Sequence, residues 1–477
     1  MVAGFRTSVS STVVVMLALV VAGCSGVSDD AAPLAPGSAP PAATTTAPPP
    51  RTSLPQATSA SCPSIPPPAR PADDRPRYVL RVDVRPAERV ADGDLRVRFT
   101  PDLDTDRLVF RLWPNAPDLV AQGARLDAGP PTLDGRPAES TREDPTTLVV
   151  RPGGPLRAGQ AVDVAMPWSL RLPAESGDRV SVDGEAVRLG SFFPILAWEP
   201  GTGWATDPPT DRFAEASTAP TADFDLTVSV PSGLSVLASG IPDRAGHWTA
   251  TAMRDVAVSV GRFATATALA RAPEPVQVTV GVHRGVGEAA EVYRDKVVAA
   301  LEDFSRRFGP YPWPTYTLAL TPRLGGGIEY PGHVMQGPQT LTRTTSHEVA
   351  HQWFYGLVGN NQGRDPWLDE GLATWAEGRF EGTLEGFRTA RLPAVASGRL
   401  AEPMTYWDDH PAAYYTGAYV QGAQALDALG DSGLVDCALR VYGAQAAHRV
   451  ARPGDLLAAA SAVFPDAEST LARFGVR

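Results

Sequence analysis

Between residues 78 and 263 the apolar side chains fall at every second position of short runs, and that period decides what this part of the chain can build. The runs 78–84, 95–99, 108–112 and 225–230 are separated by Gly, Pro and Asp. In an extended chain successive side chains point to opposite faces, so each run buries one face and leaves the other polar, which is the pattern of strands. Several such strands at close spacing, without a helical stretch of comparable quality, predict an antiparallel all-β saddle or sandwich domain over residues 77–270. His247 and His283 stand alone in strand-like surroundings and read as structural or surface residues. Near Gly287 the period changes. Over residues 289–308 apolar positions recur every three or four residues, an amphipathic helix that Pro310, Pro312 and Pro314 bring to an end. Residues 316–320 then read as a strand and the chain beyond 340 as mostly helical, so residues 271–477 are expected to form a second, α+β domain. The absence of an internal repeat speaks against a solenoid.

Ahead of these domains, Arg6 precedes an apolar run over residues 13–21 that leads into Val21-Ala22-Gly23-Cys24. The run is about half of the roughly 20 residues a bilayer core requires, so residues 1–23 read as a signal peptide and not as a membrane helix. Val-Ala-Gly-Cys resembles the lipobox of bacterial lipoproteins, which implies acylation of Cys24 and an address at the outer face of the cell membrane. The Pro/Ala/Thr-rich stretch 24–76, with 14 prolines between 29 and 76, reads as a disordered tether because it offers little apolar mass to offset the entropy of ordering. Cys62 and Cys437 remain. An oxidising compartment permits a bridge between them, but two cysteines so far apart in sequence do not establish one. With 42 basic and 53 acidic residues the net charge is −11, and no dense basic run follows the N-terminus, so nucleic acid is excluded as the expected partner.

The chemistry concentrates in His347-Glu348-Val349-Ala350-His351. On a helix, residues four apart share a face, so both imidazoles can reach one metal ion while Glu348 projects toward its open side. Histidine pairs at this spacing also occur on helix surfaces, and the next segment decides between the two. Asp365-Pro366 offers a capping residue followed by Pro at the first helical position, predicting a second helix that carries Glu370 in its first turns. HEVAH, eighteen residues, then Glu makes His347, His351 and Glu370 a ligand set for one Zn²⁺ per chain, with the fourth position left to water as a catalytic site requires.

These segments resemble the gluzincin metallopeptidases related to aminopeptidase N and leukotriene A4 hydrolase, peptidase family M1. HEVAHQWFYGLVG and WLDEGLATWAE look like that family's signature helices. Gly326-Gly327-Ile328-Glu329-Tyr330 is similar to its Gly-Ala-Met-Glu-Asn motif, and Tyr414-Tyr415-Thr416-Gly417-Ala418 to its Tyr-x-Lys-Gly-Ala segment. Phe192-Phe193-Pro194 and the β-rich region before it fit the family's N-terminal saddle, so the resemblance spans about residues 77–440 and implies a mostly helical, thermolysin-like catalytic domain. It implies hydrolysis of peptides, with Glu348 as general base and Tyr414 as donor to the carbonyl oxygen. It also implies substrate binding by Gly326, Gly327 and Glu329, the last anchoring a free α-ammonium. Tyr414 and Tyr415 read alternatively as core aromatics of a helix running to Leu429. Tyr330 replaces Asn and Thr416 replaces Lys, so the pocket rim is expected to differ. Only 107 residues (477 − 370) follow the last ligand, from which an open cleft is expected. A zinc endopeptidase or other hydrolase on the same scaffold and a silent binding module are the competing readings.

Overall fold

The computed structural model of the chain describes residues 57–211, 218–338, 341 and 343–477. The signal segment, Cys24 and tether residues 24–56 lie outside the described residues.

Strand Arg77–Arg85 is the axis of a nine-stranded sheet. Tyr78, Leu80, Val82 and Val84 are buried and the intervening residues largely are not, as the period of two requires. It pairs antiparallel with Val90–Phe99, Leu80 opposite Leu95, and on its other side parallel with Ala222–Ser229, Leu80 opposite Leu226. The parallel pair corrects the expectation of an all-antiparallel domain. A hairpin cannot make such a pair, but the long excursion 86–221 supplies the crossover a parallel neighbour needs. Two four-stranded sheets and the two-stranded pair Trp198–Glu199 with Gly203–Trp204 complete the described β-rich region. Phe192 and Phe193 lie in its core, where Phe193 meets Tyr78 edge-on with ring centroids 5.9 Å apart.

The helical region has a five-stranded sheet of its own, ordered Phe263–Arg271, Pro275–His283, Thr315–Leu320, His333–Gln336 and Gly327–Ile328. The expected division at residue 270 therefore cuts a hairpin, since Phe263–Arg271 pairs with Pro275–His283. Alternation alone does not tell which sheet a strand joins. Helix Ala290–Phe308 covers this sheet with Tyr293, Val297, Ala300, Leu301, Phe304 and Phe308, the spacing read from sequence. Edge strand Gly327–Ile328, paired antiparallel with His333–Gln336, delivers Glu329 beside the helices described next.

The expected tether is corrected over residues 57–76. Ala57 N–H donates to the Ser461 carbonyl (2.9 Å), Ser61 to Val463 (3.1 Å) and Ala69 to Ala444 (2.8 Å). Cys62 is disulfide-bonded to Cys437, with Cα atoms 5.9 Å apart. These bonds, with Ile65 and Ala69 packed on the core, offset the ordering entropy that composition alone leaves uncompensated. Among the described residues no helix is long and apolar enough to cross a membrane.

Candidate metal centre

Helix Thr344–Ala350 carries His347 and Glu348, with His351 at its C-terminal cap. Helix Trp367–Glu381 carries Glu370 and is buried on every side from Trp367 to Gly378, as befits a central helix. Pro366 and not Asp365 takes its capping position, and no side chain caps it. The capping expectation is thus corrected: the Asp365 backbone carbonyl accepts the Leu368 N–H instead (3.1 Å).

Three atoms converge between the helices. His347 Nε2 lies 3.0 Å from His351 Nε2 and 3.1 Å from Glu370 Oε2, and the third edge, His351 Nε2 to Glu370 Oε2, is 3.4 Å. The opposite ring nitrogens are already engaged. His351 Nδ1 faces the Phe354 carbonyl at 3.0 Å, and His347 Nδ1 faces Glu377 Oε2 at 3.2 Å. A carbonyl and a carboxylate only accept, so both Nδ1 atoms carry the proton and both Nε2 lone pairs point at one place. Two lone pairs and a carboxylate facing each other without a cation repel. A tetrahedral zinc with ligands at about 2.0–2.1 Å gives edges of about 3.3 Å, so this trio fits the ion. Burial opposes charge on His351, yet Glu370 outweighs it and raises the pKa to about 9. Burial likewise opposes charge on His347, but its bonds to Glu370 and Glu377 hold its pKa well above the usual range.

Glu348 is buried beside this trio, and its Oε2 has no hydrogen-bond partner among the described residues. Burial pushes its carboxyl up to about 8, against the pull of the two imidazoles. The backbone of Gly327 lies against it: a Cβ there would stand 2.3 Å from Glu348 Cδ and Cγ, so only glycine leaves the carboxylate its place. Gly326 has a different part. Its carbonyl accepts the Gly337 N–H (2.8 Å), and a Cβ would meet nothing within 4 Å among the described residues.

Glu329 is also buried, and ligand atoms of Glu329, His351 and Asp369 all lie within 4.8 Å of one another. Gln362 Nε2 bridges the two carboxylates, at 2.6 Å from Asp369 Oδ2 and 3.4 Å from Glu329 Oε1. Tyr414 is linked to the trio through aromatic packing. Its ring packs 5.5 Å from Tyr419, and Tyr419 in turn stacks on His347 at 5.8 Å. The helix expected to run through Tyr414 to Leu429 is present: the backbone stays helical from Tyr414 to Asp427, wound as a π-helix over Tyr415–Val420 and as an α-helix over Gln421–Asp427. Gly371 and Gly422 bring that helix backbone-to-backbone with the Glu370 helix: a Cβ on Gly371 would lie 2.9 Å from Gly422 Cα. Tyr330, expected at the rim, is instead fully buried toward the β-rich region.

Sequence reasoning missed Glu377, Gln362, Asp369 and Tyr419. Glu377 had a legible signal, since seven residues past Glu370 is two helical turns and so the same face. Gln362 lies in a connecting loop, where no period marks which side chain turns inward.

Two imidazoles and a carboxylate on these helices converge on a site that fits zinc, with the buried Glu348 beside them. The family resemblance is borne out, since residues 294–405 match the peptidase family M1 domain. Human aminopeptidase B is 32% identical over 122 residues, 24% of this chain and 19% of that protein. Leukotriene A-4 hydrolase of Xenopus laevis is 33% identical over 109 residues, 21% of this chain and 17% of that protein. The match thus spans less than a fifth of these curated relatives. Among solved structures, the M1 zinc metallopeptidase from Deinococcus radiodurans shares the fold, with a TM-score of 0.64 at 23% identity over 85% of this chain and 94% of that one. A mutant of the Deinococcus enzyme has been solved bound to a Tyr-Ser-Ala substrate.

Proposed function

We propose that this chain is a zinc-dependent aminopeptidase that removes N-terminal residues from peptides outside a bacterial cell. The observation that carries the reading is the second pair of acidic side chains at the metal site: Glu329 and Asp369 converge beside His351, with burial pushing the Asp369 carboxyl up to about 8, and Glu329 stands where a substrate's ammonium would lie. His347, His351 and Glu370 hold the zinc. When bound, the ion supplies a Lewis acid that polarises the scissile carbonyl and makes water more acidic. Glu348 takes the water's proton and passes it to the leaving amine, a role suited to a buried carboxyl whose Oε2 has no hydrogen-bond partner among the described residues. Tyr414 donates a hydrogen bond to the carbonyl oxygen as charge develops there. Glu329 binds the free α-ammonium, and Gln362 donates both to its carboxylate and to that of Asp369.

Peptides with a free N-terminus are expected to shorten one residue at a time, and N-acetylation to lower kcat/KM about 30-fold to several thousand-fold, the cost of leaving one partner of a buried charge pair alone. Mass spectrometry of timed digests checks this. Equal cleavage of free and acetylated peptides at internal bonds would turn the assignment to an endopeptidase.

The site outside the cell rests on Val21-Ala22-Gly23-Cys24 and the proline-rich stretch after it. Acyl chains on Cys24 contribute about 0.8 kcal/mol per buried methylene and hold the chain at the bilayer. Cys24→Ser is expected to move the protein from the membrane to the soluble fraction. Unchanged fractionation rules out the lipid anchor.

A further inference from the structure

Tyr330 stands where the resembling motif has Asn, directly after the carboxylate assigned to the ammonium, and it is only 1% exposed. Its side chain enters the β-rich region over Gly190, where a Cβ would stand 2.4 Å from the Tyr330 hydroxyl oxygen, so the approach exists only because residue 190 is glycine. The hydroxyl meets Ser191 Oγ at 3.1 Å, and Arg179 donates to it at 3.4 Å. Ser191 Oγ also meets Asp255 Oδ2 at 2.7 Å; when that carboxylate is ionised it takes the serine proton, and the tyrosine O–H then donates to Ser191. Ser191, with φ of 45°, occupies the left-handed region, a conformation that surrounding contacts must hold. All four side chains are buried, which makes an unmet hydrogen bond in this chain costly.

The backbone of the same turn is gripped from the opposite side. Gln352, next to the ligand His351, donates from Nε2 to the Tyr330 carbonyl at 3.2 Å and accepts the Gly332 N–H on Oε1 at 2.8 Å. Glu329 thus sits on a turn pinned to the β-rich region by one side chain and to the ligand-bearing segment by another. In an aminopeptidase the ammonium and the scissile carbonyl are joined through a single Cα, so the distance from ammonium anchor to metal admits little error. A displacement of about 1 Å is enough to cost a large factor in rate.

We propose that Tyr330 is a positioning residue of the ammonium pocket, its hydroxyl hooked into Ser191 and Arg179 so that Glu329 is held at the distance from the metal ligands that a free N-terminus requires. This rests on the reading of Glu329 as the ammonium anchor. The test compares kcat/KM for a free peptide with that for its N-acetyl form in wild type, Tyr330→Phe, Ser191→Ala, their double variant and Glu329→Gln, with zinc content measured on each. Tyr330→Phe and Ser191→Ala are each expected to lower the free-over-acetylated ratio about 10-fold, through KM for the free peptide, with zinc still at one per chain. The double variant falls by less than the product of the two, since both remove the Tyr330–Ser191 bond. A structural role alone would lower thermal stability and leave the ratio unmoved, and that result overturns the proposal. Should Tyr330→Phe fail to fold, Ser191→Ala carries the test, because it leaves the ring in place. If Glu329→Gln collapses the ratio while both hook variants keep it, only the positioning role fails. If Glu329→Gln keeps the ratio, the ammonium reading itself has failed and this proposal with it.

Discussion

Glu348→Gln is expected to keep one zinc per chain and to lose turnover about 100- to 10,000-fold, the contribution a positioned general base makes. Glutamine matches the shape of Glu348 and so preserves the packing against Gly327, but it cannot accept the water's proton. Glu370→Ala should do the reverse. It removes one corner of the trio and leaves two imidazoles 3.0 Å apart with no carboxylate among the converging ligands, so zinc is lost on dialysis. Metal content by elemental analysis, measured beside kcat on the same preparations, separates the two effects. A Glu348→Gln variant as fast as wild type would remove Glu348 from the mechanism, and a Glu370→Ala variant that holds zinc as tightly as wild type would remove Glu370 from the ligand set.

The metal trio was legible because its information is local. A spacing of four on one helix and a proline opening the next place three ligands without knowledge of the rest of the molecule, and the predicted atoms do converge. The strands were legible for the same reason, since a period of two states which face of Arg77–Arg85 is buried. It does not state which strand lies alongside, and the parallel pairing with Ala222–Ser229 could not be read from it. Residues 57–76 show the limit more sharply. Their composition predicts a free chain, but the disulfide and backbone bonds that hold them come from residues far along the sequence, 375 positions away for Cys437. Tyr330 was misread for a related reason. A motif position suggests the pocket, whereas Gly190 and Ser191, distant in sequence, open a path for the ring in the other direction.

Gly327→Ala is expected to lower kcat about 100-fold while changing thermal stability little. The added methyl would stand 2.3 Å from Glu348 Cδ and 2.4 Å from its Oε1, distances no real contact tolerates, so something must move. What moves most easily is the end of the glutamate side chain, because a rotamer change costs far less than shifting the edge strand that pairs Ile328 with Met335. The fold survives and the base is displaced, and a misplacement of about 1 Å in a catalytic group can cost about 100-fold in rate. Zinc should remain, since Glu348 is not among the three converging ligands. The loss should fall on kcat for free and blocked peptides alike, which separates it from Glu329→Gln, whose effect depends on the free amine. Adding Glu348→Asp to Gly327→Ala supplies a check within the site. The shorter side chain draws back from the methyl, so the double variant should lose less than the product of the two single losses. If Gly327→Ala turns over within twofold of wild type, the glycine does not hold the base in place; if the two losses simply multiply, Gly327 acts on catalysis by some route other than contact with Glu348.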